Sequence, residues 1–288
     1  MQKPQRVEIL GVKFDDVTMN NALDFVKQMI NDTQKHYIVT PNPEFVIKAQ
    51  KDNSFLTILN NADLAIPDGI GILAAAKYLS KNFSLIPRPI RIFLSPIYGL
   101  LYVGFSTAFK QKNLDTLAER VTGTDLMINL CKLASQKGWS VYLLGGENGA
   151  VQQTRRVLTE SFPNLHISGS SEQDPYLTTD KYQIPPSDLL FVAYGAPTQE
   201  KWITKHLNNL SVKVAMGVGG AFDFITGKQK RAPLFIQKLG LEWFWRLITQ
   251  PKYRTGGTKK WRWKRQLAII KFVYLVAIEG MKTKEKTG

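Results

Sequence analysis

Apolar and polar positions follow two alternating rhythms. Short β-rich runs, such as Tyr37-Ile38-Val39 and Val141 to Leu144, are separated by stretches with helical apolar spacing. Val7 to Phe14 reads as a strand pair turning near Gly11, and Thr18 as the N-cap of a helix to about Ile30. A strand at Tyr37 to Val39 is then broken by Thr40-Pro41-Asn42-Pro43. One helix is expected over Glu44 to Asn60, a strand over Asp63 to Ile66, a turn at Pro67-Asp68-Gly69 and a helix over Ile70 to Tyr78. After Arg120, Thr124 is expected to cap a helix to about Lys137. Strands follow at Val141–Leu144, Leu165–Gly169, Asp188–Ala193 and Val212–Val218. Helices run from the Gly145–Gly149 loop to Ser161 and over Glu200–Asn208. The pattern predicts an α/β fold, a Rossmann-like, mainly parallel sheet with helices on both faces.

Two stretches depart from the rhythm. Within 79–116, Ile92 to Phe109 is an uncharged run of 18 residues flanked by Arg88, Arg91, Lys110 and Lys112. Pro96, Gly99 and Gly104 disfavour one straight span. They favour a bent segment entering and leaving one membrane leaflet, with a buried helical hairpin as the alternative. After Gly227 the chain turns basic and aromatic to Gln250. A polar, glycine-containing break spans Tyr253 to Thr258, and a basic cluster with Trp261 and Trp263 then leads into LAIIKFVYLVAI, which reads as an interfacial helix. The expected organisation is a domain over 1–227 carrying the apolar insertion 79–116, and a basic, aromatic, membrane-docking appendage over 228–288.

Charge sharpens this division. The net charge is +15, yet residues 228–288 carry 16 basic and 3 acidic side chains, and 77–120 carry 7 and 2. The rest is nearly neutral, so the excess points to a polyanionic partner, a membrane face or nucleic acid. A lone cysteine, Cys131, excludes an internal disulfide and sits in an apolar helical run, as a core thiol would. The three histidines are far apart and no Asp-x-Asp pair occurs, so no metal-ligand spacing is present. The N-terminus has no apolar signal-peptide core.

Candidate chemistry falls at strand ends, where ligands of open α/β sheets collect. Thr40, Asn42 and Asp68 offer a hydroxyl, an amide and a carboxylate to one cleft, though Asp68-Gly69 is equally an ordinary turn. Gly145-Gly146 follows a strand and opens a helix, a place for phosphate. Gly195-Ala196-Pro197 precedes Gln199 and Glu200, which can read a sugar or base or simply begin a helix. Gly219-Gly220, with Asp223, closes the next strand.

These motifs, TPNPEFV, ADLAIPDGIG, RVTGTDLM, VYLLGG, FVAYGAPTQEKW, MGVGGAFDFITGKQKRAP and LGLEWFWRL, lie in that order over roughly residues 7–254. In this the chain resembles the WecG/TagA/CpsF family of glycosyltransferases. The resemblance implies inverting, metal-independent transfer of an N-acetylmannosamine-type sugar. The donor would be UDP-linked and the acceptor a polyprenyl-diphosphate-linked N-acetylglucosamine, at the cytoplasmic membrane face, with no cofactor. It implies that Asp68 is the catalytic base with Thr40 and Asn42 beside it. It places Arg120, Gly123, Thr124 and Asp125 and the three glycine loops around the UDP-sugar, and makes Arg231, Arg246 and Arg254 the tail arginines that complete the site. The family's short link after DGIG is here replaced by 79–116, and SEQDPY (171–176) replaces a more usual loop. An anionic membrane surface is then the partner of the tail, and a homo-oligomer is compatible with the pattern. The competing readings are a nucleic-acid-binding protein, against which the apolar run after the basic cluster argues, and a non-catalytic membrane-anchored nucleotide-sugar-binding module.

Overall fold

The structure is a computed structural model. It describes residues 4–81, 102, 116–173, 176, 184–229, 232, 233, 236, 245, 248, 249, 252–255, 258–261 and 263–282, with side chains beyond 251 described only at 267–280. Most of 79–116, together with Arg231, Arg246 and residues 174 and 175 of the SEQDPY loop, lies outside the described residues.

A hairpin of β1 (Arg6–Ile9) and β2 (Val12–Asp15) opens the chain. It leads into α1 (Met19–Asn31), whose N-cap Thr18 forms a capping box with Asn21. Six strands follow: β3 (His36–Val39), β4 (Leu64–Ala65), β5 (Ser140–Gly145), β6 (His166–Ser171), β7 (Ser187–Ala193) and β8 (Val212–Gly217). They form one sheet in the order β4-β3-β8-β7-β5-β6, and every pairing is parallel.

The side-chain period of two explains why these strands read as continuous apolar runs. Val141, Leu143, Leu189, Phe191, Val214 and Met216 point into one core with α1, α5 (Gly123–Lys137) and α6 (Ala150–Ser161). Tyr142, Leu144, Leu190, Val192 and Ala215 point the other way, onto Trp202 and Ile203 of α7 (Thr198–His206). Cys131 is buried in the first core, and burial pushes its thiol up to about 12. It is the core thiol that its neighbours suggested.

A third cluster covers the β4 edge of the sheet. Phe14, Phe45 of α2 (Pro43–Ala49), Phe55 of α3 (Asn53–Asn61) and Tyr78 of α4 (Ile70–Ser80) meet there. The single helix expected over 44–60 is therefore two. Asp52 breaks it, because its carboxylate caps α3 by accepting from the Phe55 N–H at 3.0 Å and pairs with Lys201 at 2.6 Å. The hydrogen bonds from Lys201 and Ser54 hold that carboxyl well below its ordinary value.

Helix α9 (Trp263–Lys282) is also part of this third cluster. Phe272 and Val276 are fully buried against α2 and α4. Glu279 accepts from the Leu10 N–H at 2.9 Å, and a Cβ on Gly280 would lie 2.6 Å from the Tyr78 ring. The apolar run read as interfacial thus spends one face on the protein's own core. Its other face carries Leu267, Ile270 and Tyr274, about half exposed. The expected polar break at 253–258 is also revised: β9 (Lys252–Thr255) and β10 (Thr258–Trp261) pair antiparallel. Within the apolar segment Tyr102 is described, its ring 5.9 Å from that of Tyr78. No helix among the described residues is long and apolar enough to cross a membrane.

Candidate active site

The carboxyl ends of β3, β5, β7 and β8 and the loop after β4 open into one cleft of about 880 Å³, within the usual range of small-molecule sites. Thr40 leaves the end of β3. Asn42, two residues on, caps α2: its Oδ1 accepts from the Glu44 and Phe45 N–H groups at 2.9 and 3.2 Å. The acceptor side of its amide is therefore engaged, which leaves the donor side for the cleft. Asp68 follows β4 and is anchored by its N–H to the Pro41 carbonyl at 3.1 Å. All three side chains line the cleft, so the sequence triplet is also a spatial one.

The RVTGTDLM segment meets them from α5. The N-cap is Thr122 rather than Thr124, because the Thr122 hydroxyl accepts from the Asp125 N–H and donates to the Asp125 carboxylate at 2.6 Å. Asp125 is thereby a capping residue, while Thr124 and Gly123 line the cleft. Gly123 approaches closely, since a Cβ there would stand 3.0 Å from the Thr40 hydroxyl. Arg120 is half-buried ahead of α5 and does not line the cleft.

The three glycine loops play different parts. Gly145 lies under the Tyr194 ring, 2.8 Å from where its Cβ would be, and does not line the cleft. Gly146 lines it with φ of +83° and gives its N–H to the Ala193 carbonyl at 3.1 Å. That N–H ties β5 to β7, and α6 begins only at Ala150. Gly195, Ala196, Gly219 and Gly220 line the cleft, and Pro197 is the N-cap of α7. Gln199 lines it too, but its Oε1 accepts from the Gly195 and Gly219 N–H groups, each at 3.0 Å. Glu200 lies behind it, 1% exposed. Asp223, in the first turn of α8 (Ala221–Ile225), faces the cleft with Gln229 donating to it at 3.1 Å. Burial pushes the Asp223 carboxyl above its ordinary value, against the opposing pull of Lys228. The Arg254 backbone belongs to β9, and its side chain lies outside the described residues.

The cleft residues that escaped the sequence reading include a charged pair on α2. Glu44 and Lys48 stand one turn apart on α2 and pair at 3.0 Å, and Lys48 also donates to the Ala196 carbonyl at 2.8 Å. Their i,i+4 spacing was visible. That this face of α2 turns toward β7 was not, because it follows from strand order. Among the described residues no group of three His, Cys, Asp or Glu side chains could hold a metal ion.

A sheet-end cleft lined by hydroxyls, amides and carboxylates, Thr40, Asn42, Asp68 and Asp223 among them, can hold a polar ligand and take up a proton. Comparison with known proteins agrees in kind. The profile of the Glycosyl transferase WecG/TagA/CpsF family matches residues 7–90 and 107–286, so the unmatched stretch, 91–106, falls inside the apolar segment. The chain is similar to the N-acetylglucosaminyldiphosphoundecaprenol N-acetyl-beta-D-mannosaminyltransferase of Staphylococcus aureus strain NCTC 8325 / PS 47. The two are 29% identical over 285 residues, covering 97% of this chain and 95% of the relative. Enzymes of the same name from strains COL and MRSA252 match to the same extent.

Proposed function

The chain belongs to the WecG/TagA/CpsF family of glycosyl transferases, and on that premise we propose that it moves an N-acetylmannosamine-type sugar from UDP to a polyprenyl-diphosphate-linked N-acetylglucosamine, with inversion and without a metal. The observation that carries this is the meeting of Thr40, Asn42 and Asp68 on one wall of the sheet-end cleft. Direct displacement asks little more of the protein's reacting groups. The acceptor oxygen bonds to the anomeric carbon as the bond from that carbon to the UDP oxygen breaks. The electron pair leaves with UDP, and the acceptor proton passes to the Asp68 carboxylate. Thr40 and the Asn42 amide orient the sugar. In this reading Arg231, Arg246 and Arg254 stabilise the leaving diphosphate, the part a metal would otherwise take.

A lipid-linked acceptor requires work at a membrane surface. The basic tail and the outer face of α9, where Leu267, Ile270 and Tyr274 flank exposed Lys271, support peripheral attachment to an anionic, cytoplasmic leaflet. The test is transfer from a panel of labelled UDP-sugars to a short-chain lipid-diphosphate-N-acetylglucosamine. Selective transfer from UDP-N-acetylmannosamine with inverted product stereochemistry is expected. UDP binding without transfer from any donor in the panel would favour the non-catalytic module instead.

A further inference from the structure

Gln199 and Glu200 form a buried unit directly beneath the cleft. Backbone N–H groups can only donate, so the Gln199 oxygen must be the atom that receives Gly195 and Gly219, and its amide nitrogen is thereby aimed at Glu200. That nitrogen donates to Glu200 Oε1 at 2.7 Å. The other carboxyl oxygen, Oε2, is buried and has no hydrogen-bond partner. The space for the pair is made by Gly217 at the end of β8. A Cβ there would lie 2.5 Å from the Gln199 amide nitrogen and 2.9 Å from Glu200 Oε1. Lys48 of α2, the charged side chain that acts on Glu200 from a neighbouring element, is held by Glu44 and the Ala196 carbonyl instead of bonding to it.

We propose that Gln199 and Glu200 are the positioning pair of the donor cleft: Gln199 fixes the spacing of the loops after β7 and β8, and Glu200, as a neutral carboxylic acid, fixes Gln199. Glu200 acts through Gln199 and not on substrate. A buried carboxylate with one oxygen unpaired is costly when ionised, so its proton rests on Oε2. Burial accordingly pushes this group up from 4.5 to about 7, opposed by the Gln199 hydrogen bond, by its own backbone N–H and by the charge of Lys48. The role in donor binding rests on the function proposed above, while the neutral-acid state of the pair does not.

Two measurements separate these. UDP affinity and donor KM are compared for wild type, Glu200→Gln and Glu200→Ala. The Gln variant still accepts from Gln199 and should keep donor KM within about threefold of wild type. The Ala variant leaves the Gln199 amide unpaired and should raise donor KM by about tenfold or more with kcat changed much less, roughly the loss of one buried hydrogen bond. Equal damage in both variants, or none in either, overturns the positioning role. Should Glu200→Ala not fold, Gln199→Glu replaces it. It sets two carboxyls face to face, so UDP affinity should fall at least about tenfold between pH 6 and pH 8. A flat profile overturns the proposal. Thermal melts need no donor. A folded-state value above the unfolded one means that the stabilising contribution is complete below about 4.5 and is lost as pH rises through about 7. The melting temperature of Glu200→Gln minus that of wild type should therefore grow by about 5 °C from pH 5 to pH 8.5. A constant difference overturns the neutral acid. Absence of UDP binding by the wild type would remove the functional reading and the donor-cleft role together, leaving the melts to decide the state of Glu200.

Discussion

Replacing Phe272 by alanine tests whether α9 belongs to the catalytic body. The side chain is fully buried among Phe14, Phe45, Tyr78 and their neighbours, over 190 residues away in sequence. Truncating a buried phenylalanine costs about 3–5 kcal/mol, from lost burial and the cavity left behind. In a protein of this size that lowers Tm by roughly 10 °C. Ile270, two residues earlier on the same helix, is 59% exposed. Its replacement by alanine should cost no more than about 0.5 kcal/mol. Thermal melts followed by circular dichroism at matched protein concentration measure both. A Phe272→Ala protein melting within about 2 °C of wild type would refute the packing of α9 as a core element. Cutting after Gly227 removes Phe272, Val273, Val276 and Ala277 together, a loss comparable with the whole net stability of a domain, about 5–15 kcal/mol. Such a truncated chain should unfold before it can report on membrane docking, whereas substitution of Leu267 and Ile270 isolates the outer face.

Asp68→Asn should leave UDP affinity unchanged and lower turnover about 10²-fold; near-wild-type turnover would remove Asp68 as the base. Gly123→Ala should keep the fold but push Thr40 aside, since its Cβ meets the hydroxyl at 3.0 Å; a fall of about tenfold in turnover is expected, as small misplacements in a site are expensive, and unaltered kinetics would deny Thr40 a part. Transfer should survive excess EDTA, because no described cluster of His, Cys, Asp or Glu offers a metal site; loss of activity restored by Mg²⁺ or Mn²⁺ would contradict metal-free chemistry.

The sheet was legible because strands buried on both faces leave uninterrupted apolar runs, as at Leu189 to Val192. The cleft was legible because its walls are strand ends, which glycine, proline and small polar residues mark locally. What was not legible depended on partners that spacing alone does not select. Asp52 breaks a periodic helix because Lys201 and the α3 N–H groups receive it, and neither is signalled by spacing. Thr122 and Thr124 are alike as residue types, and only the reciprocal bonds to Asp125 select the first as the cap. Gln199 and Glu200 were open to two readings, ligand contacts or a plain helix start, and sequence cannot say that Gly195, Gly217 and Gly219 surround them. The apolar run of α9 was ambiguous in principle. A stripe that faces lipid and a stripe that faces Tyr78 have the same composition, and only the fold decides between them.

The bond from Leu10 to Glu279 joins positions 269 residues apart, and this sets the order in which the molecule can be finished. A chain emerging from the ribosome presents β1, β2, α2 and α4 early, with the groove that receives Phe272 still uncovered. The strand that pairs with β3 on its inner side, β8, also arrives late. Parallel pairings and contacts of such range are slow to form, and apolar surface exposed meanwhile invites aggregation. The yield of active protein during synthesis should therefore depend on the arrival of α9 as well as on the stability of the folded protein, and loss of α9 should be as damaging as a mutation in the heart of the sheet.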